Sequence, residues 1–82
     1  MGLKEEFEVT ANMSASDVID LARKRFSLEH LNKPLDVFAV SIATNAELHT
    51  LRTALVSPFD LHRKLVEDHG ATAFEYILRP AT

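Results

Sequence analysis

The stretch LDVFAVSIAT, residues 35–44, decides the fold, because it is apolar on both sides of an extended chain. The apolar positions on its two sides are Leu35, Val37 and Ala39 against Phe38, Val40 and Ile42. An interior strand that is covered from both sides carries such a run. We therefore predict a strand over 35–44 at the centre of a sheet.

Two more strands are predicted on the C-terminal side of this centre. A turn at residues 44–46 is typical of a hairpin, and residues 47–54 have few large apolar side chains, which indicates a short outer strand. Residues 73–79 alternate between apolar and polar side chains before Pro80 ends the pattern. We expect this last strand to pair with the central one.

Two helices are predicted. One precedes the central strand in the chain, and the other precedes the last strand. Residues 14–27 begin with Ser14 and Asp17 in the spacing of a capping box and continue with an apolar stripe at intervals of three and four. Residues 57–69 begin with Ser57 as the N-cap, followed by proline at the first helical position.

The chain opens with a period-2 pattern over residues 3–10, which predicts a strand with one wet face. One side carries Leu3, Phe7 and Val9, and the other carries Lys4, Glu6 and Glu8. With this element the order is strand, helix, strand, strand, helix, strand. Residues 1–82 thus predict a single α+β domain.

Composition excludes several classes of protein. The chain has 82 residues, 46% of them apolar, no cysteine, and 9 basic against 12 acidic residues, which gives a net charge of −3. An acidic chain is a poor general binder of nucleic acid, and the lack of cysteine excludes thiol nucleophiles, thiolate zinc sites and disulfides. No run of about 18 apolar residues and no signal sequence is present, so we expect a soluble cytoplasmic protein without a membrane span.

The residues that could carry catalysis have simpler interpretations. His62 and His69 lie two helical turns apart, roughly 10 Å along the axis, which is too far to share one metal ion. The serines that begin the helices are explained as caps, and two glycines cannot form a phosphate-binding loop. We therefore expect no enzyme activity, no metal and no cofactor.

A binding surface for another protein is the remaining interpretation. If residues 3–10 form an edge strand, an extended segment of a partner can add to it. Lys4, Arg23, Lys24 and Arg25 would then present positive charge to an acidic partner. Pairing of edge strands would also permit a homodimer.

The sequence resembles the Ras-association domain family over about nine-tenths of its length. LKEEFEVTANMSASDVIDLARKRFSL, residues 3–28, is similar to the family's second strand and first helix, and DVFAVSI, residues 36–42, to its third strand. LRTALVSPFDLHRKL, residues 51–65, is similar to its Leu-rich stretch with a central proline, and FEYILRP, residues 74–80, to its closing strand.

The resemblance implies a ubiquitin-like β-grasp fold that lacks the family's first strand. It also implies binding to the GTP-loaded switch region of a Ras- or Rap-type GTPase through the strand over 3–10 and the first helix. The matching positions for acidic switch residues are Lys4, Arg23 and Lys24, with Arg25 next in the chain. Some domains of this type instead serve as scaffold modules that bind no GTPase.

A second fold fits the same order of elements without a missing strand. This is the ferredoxin-like βαββαβ sandwich, in which both helices cover one face of a four-stranded antiparallel sheet. It would imply a regulatory or ligand-sensing domain that can form a dimer. In that fold the strand over 3–10 would lie beside the third or the last strand.

Overall fold

The computed structural model describes residues 4–81 and shows two helices and a three-stranded antiparallel sheet. In chain order the elements are helix α1 (Ala15–Arg25), strand β1 (Leu35–Ser41), strand β2 (Glu47–Thr50), helix α2 (Pro58–His69) and strand β3 (Phe74–Pro80). The strands lie in the order β2-β1-β3. The α+β class is confirmed, as are the central position of β1 and its pairing with β3.

Both helices begin at the caps that the sequence predicts. The Ser14 hydroxyl accepts from the Asp17 N–H at 3.1 Å, and the Asp17 carboxylate accepts from the Ser14 N–H at 2.9 Å, which completes the capping box. In α2 the Ser57 hydroxyl accepts from the Asp60 N–H at 3.2 Å. These bonds satisfy donors that a helix leaves unpaired at its first turn.

The core lies between the two helices and one face of the sheet. Ala39 at the centre of β1 is fully buried, and its neighbours on that face pack against residues of both helices. The core residues of the helices are Val18 and Ile19 in α1 and Leu61 and Leu65 in α2. The sheet therefore has one face covered by helices.

The cover that was predicted for both faces of β1 is less complete on the face away from the helices. On the face away from the helices Val40 is buried, but Phe38 is only half-buried and Ile42, just beyond the strand, is 56% exposed. The Arg79 guanidinium carbon lies 4.1 Å from the centroid of the Phe38 ring and covers part of it. A long arginine side chain thus supplies some of the cover that a second layer would give.

The strand predicted over 3–10 is absent from residues 4–10, and Leu3 lies outside the described residues. Phe7 and Val9 are half-buried against the core, whereas Glu6 and Glu8 are exposed, so the period-2 pattern of burial is present. Alternation reports which side chains are buried and carries no information about a backbone partner. The segment packs through its side chains without joining the sheet.

The outer strand is shorter than the predicted range 47–54 because residues 51–53 form a turn. Asp36, buried in β1, holds that turn: its Oδ1 accepts from the Arg52 N–H at 3.2 Å and from the Val37 N–H at 2.7 Å. Arg52 in turn donates from Nε to the Leu35 carbonyl at 2.8 Å. These contacts between distant residues end β2 at Thr50.

The other boundaries differ from prediction by a few residues. The first helix ends at Arg25 rather than 27, and β1 ends at Ser41 because the chain turns at once, with Asn45 in the left-handed region at φ 61°.

Within residues 4–81 the sheet has three strands. The four-stranded sheet of the ferredoxin-like alternative is not found there. Across the same residues, neither helix has the length and hydropathy needed to span a bilayer.

Candidate protein-binding surface

The first part of the candidate surface is the rim segment, which we define as residues 4–10. No backbone hydrogen bond joins residues 4–9 to any other residue in the part of the chain that the structure describes. Pairing begins only at Thr10, whose carbonyl accepts from the Met13 N–H at 3.2 Å. Backbone N–H and C=O groups without a protein partner are available to water or to another chain.

The second part is the C-terminal end of α1, which closes in a Schellman motif. The Leu28 N–H donates to the Arg23 carbonyl at 2.8 Å, and the Ser27 N–H donates to the Lys24 carbonyl at 3.1 Å. Ser27 occupies the left-handed position of this motif at φ 56°, where glycine is the usual residue. The motif turns the chain sharply after the last helical turn, in which Lys24 and Arg25 are exposed.

Lys4 and Arg25, 21 positions apart in the chain, meet in one surface depression. The depression is also lined by Glu5 from the rim segment and by Phe26 and Ser27 at the end of α1. Lys24, in the same turn of the helix, is exposed. We call Lys4, Lys24 and Arg25 the basic cluster. The helix dipole favours positive charge at this end.

Arg23 does not belong to the basic cluster. Its guanidinium donates to the Leu31 carbonyl at 3.0 Å through Nη1 and to the Lys33 carbonyl at 3.1 Å through Nη2. The side chain therefore fixes the connection between α1 and β1. Of the four predicted site residues, the structure brings Lys4 and Arg25 together, leaves Lys24 exposed nearby, and gives Arg23 a structural contact.

The charge of this surface is mixed. Glu5, Glu6 and Glu8 are exposed along the rim segment, and Glu5 lies in the same depression as Lys4 and Arg25. A partner segment that pairs with the backbone here would meet carboxylates along the segment and cations at its N-terminal end. Such a distribution favours a partner with alternating or mixed charge over a uniformly acidic one.

A polar aromatic cluster at α2 and β3 is the other chemical feature, and the sequence analysis did not identify it. His62 Nδ1 lies 2.9 Å from the Tyr76 hydroxyl, and the Tyr76 ring meets Phe74 edge to face at a centroid distance of 5.7 Å. Burial raises the pKa of Tyr76 to about 12. The phenol is therefore neutral at physiological pH and acts as a hydrogen-bonding group. The signal in sequence was the alternation that places Phe74 and Tyr76 on the helix-facing side of β3.

Metal ligation has no geometric support in the described range 4–81, where no three His, Asp or Glu residues converge. Comparison of the chain with models of protein families, with curated proteins and with solved structures gives no match.

Proposed function

We propose that this chain is a non-enzymatic protein-interaction module that takes up an extended segment of its partner along residues 4–10. The single observation behind this proposal is that the backbone of residues 4–9 has no hydrogen-bond partner within the described chain, while Lys4 at its N-terminal end lines the same depression as Arg25. Addition of a strand to an exposed segment is a common mode of peptide recognition. The side chains of Phe7 and Val9 hold the segment against the core while its backbone groups receive the partner.

The partner class that we propose is a GTP-loaded GTPase of the Ras or Rap type. Support comes from the resemblance of residues 3–28 to the strand and helix with which Ras-association domains bind such GTPases. The sheet order, with β1 between β2 and β3, is consistent with the β-grasp fold that we propose alongside it. Lys4, Lys24 and Arg25 are then the cations that face acidic switch residues.

The three carboxylates of the rim segment set the expected strength of this complex. Glu5, Glu6 and Glu8 repel an acidic switch region, so the cations of the basic cluster must offset them. We therefore expect weak binding that is sensitive to salt. Replacing Glu6 and Glu8 by lysine should tighten it.

Titration of the chain against GTP-loaded and GDP-loaded small GTPases, with isothermal calorimetry as the readout, tests the proposal. We expect binding to the GTP-loaded form and a loss of about tenfold or more in affinity for the double variant K24E/R25E. The matched control is R63E/K64E, which makes the same change of charge on α2, in a depression that no residue of the rim segment lines. Equal binding in both nucleotide states, or none in either, refutes the GTPase role.

A further inference from the structure

Strand β3 is an edge strand whose outer backbone groups have no partner strand among residues 4–81. Two hydrogen bonds at its ends fix the direction of these groups: the Ile42 N–H donates to the Ala73 carbonyl at 3.0 Å, and the Ala81 N–H donates to the Pro34 carbonyl at 2.9 Å. Hydrogen-bonded pairs alternate along an antiparallel ladder. Odd-numbered residues of β3 therefore direct their N–H and C=O groups toward β1, and the outward groups belong to Phe74, Tyr76, Leu78 and Pro80.

This alternation restricts how the strand can pair with a second copy of itself. In an antiparallel pair, outward groups must oppose outward groups, so the two-fold axis has to pass through a residue. An axis through Tyr76 sets Glu75 opposite Ile77, and an axis through Leu78 sets Arg79 opposite Ile77. Only the axis through Ile77 sets Glu75 opposite Arg79, and symmetry does so twice.

The register centred on Ile77 is complementary on both faces of the sheet. Glu75 and Arg79 are exposed in the single chain and would form cross-strand pairs of opposite charge at positions where facing side chains approach most closely. On the helix side, Tyr76 faces Leu78 of the second copy. Pro80, which has no N–H, marks where the ladder ends.

The existing contacts of Arg79 are compatible with this pairing. Its Nη2 lies 3.7 Å from the Glu47 carboxylate, and the two side chains are 45% and 52% exposed. Exposed ion pairs of this kind contribute little to stability. The guanidinium carbon also lies 4.1 Å from the Phe38 ring centroid, and exposed contacts between a cation and a ring are weak as well. Arg79 therefore gives up only weak contacts when it turns to the carboxylate of a second copy.

We propose that two copies of this chain pair antiparallel through β3, with the two-fold axis at Ile77, to form a continuous six-stranded sheet with all helices on one face. The inference goes beyond the proposed function and uses a different edge of the molecule. A second copy is the occupant because the edge is self-complementary in charge at one register only.

A charge-swap series tests the register. In sedimentation equilibrium, E75R and R79E should each raise the dimer dissociation constant by about tenfold or more, because each variant sets like charges opposite one another twice. The double variant E75R/R79E restores opposite charges and should recover dimerisation. The control E67R changes an exposed residue of α2 and should have no effect. A monomer at all concentrations, or equal dimerisation by all four variants, overturns the proposal.

Disulfide trapping gives a second, independent test, since the chain has no cysteine of its own. In the proposed register the two Ile77 Cα atoms lie about 4.5 Å apart, as in any non-hydrogen-bonded antiparallel pair. That separation is within the range that a disulfide spans. I77C should therefore form a cross-linked dimer under mild oxidation, whereas E67C should not. Equal cross-linking of both variants would show random collision and contradict the proposal.

Discussion

Ser27 ends α1 in a backbone conformation that a side chain disfavours. At φ 56° it fills the position of the Schellman motif that glycine usually occupies. An L-residue there costs about 1–2 kcal/mol because Cβ approaches the following carbonyl. Ser27 lines the depression that Lys4 and Arg25 share. Its left-handed backbone conformation sets the direction in which the chain leaves the helix.

Replacing Ser27 by glycine should therefore raise the free energy of unfolding. Relief of the strain outweighs the greater freedom of glycine in the unfolded chain, for a net gain of about 0.5 kcal/mol in urea denaturation. The control S16G, in the first turn of α1 and also exposed, should lose about 0.5 kcal/mol because glycine disfavours a helix. A loss of stability in S27G would contradict the assignment of strain.

Tyr76 should titrate late, and the chain's single tyrosine makes this directly measurable. Burial raises its pKa to about 12, whereas an unfolded tyrosine ionises near about 10. Between these values the unfolded state binds fewer protons, so stability should fall as the pH rises from about 10 to about 12. The absorbance of phenolate across this pH range measures the pKa of Tyr76. The variant H62A uncovers the tyrosine ring and should lower this pKa. A midpoint near about 10 in the folded chain would contradict the burial.

At the scale of elements, the contact of greatest consequence is the one between α1 and the connection to β1. Arg23 donates to the carbonyls of Leu31 and Lys33, and both acceptors lie in a segment without regular structure. One side chain thereby fixes the entry of the chain into the central strand.

Arg23→Ala should lower the free energy of unfolding by about 1–3 kcal/mol, because two carbonyls lose a charged donor. Lys24→Ala, one position along the same helix and exposed, should stay within about 0.5 kcal/mol of the parent chain. Urea denaturation monitored by circular dichroism measures both. Equal stability of the two variants would show that the loop does not depend on Arg23.

Local signals in the sequence predicted the elements whose causes are local. The capping box of Ser14 and Asp17 and the cap at Ser57 lie within four residues of their partners, so both helix starts were predicted correctly. The turn that ends β2 depends on Asp36 and Arg52, which are 16 positions apart, and no short-range pattern reports such a contact.

The strand predicted over 3–10 shows the limit of periodicity. Phe7 and Val9 alternate with exposed residues as predicted, but burial on one side does not create a hydrogen-bonding neighbour. Prediction of the candidate surface from the sequence has the same limit. Helical periodicity separates Arg23 from Arg25 by about 200° around the helix. It does not show that the loop holds Arg23, or that Arg25 meets Lys4 across 21 positions.

At the scale of the whole molecule, two regions at the margin of the two-layer core are the binding surfaces that we propose. One is the rim segment with the basic cluster, and the other is the outer edge of β3. Within residues 4–81 both have backbone groups without a protein partner, together with charged side chains. Our two proposals use one side each, and both rely on addition of a strand from another chain.

The most direct test of the rim segment as the binding site is a titration of the isotope-labelled chain with a Ras-type GTPase. The measurement is the change in amide chemical shifts. With the GTP-loaded form we predict shifts concentrated in residues 4–10 and at the end of α1, with residues of α2 unchanged. The GDP-loaded form should leave the spectrum as it is. Shifts confined to other parts of the chain, or identical spectra with the two nucleotide forms, would contradict the proposed role of the rim segment.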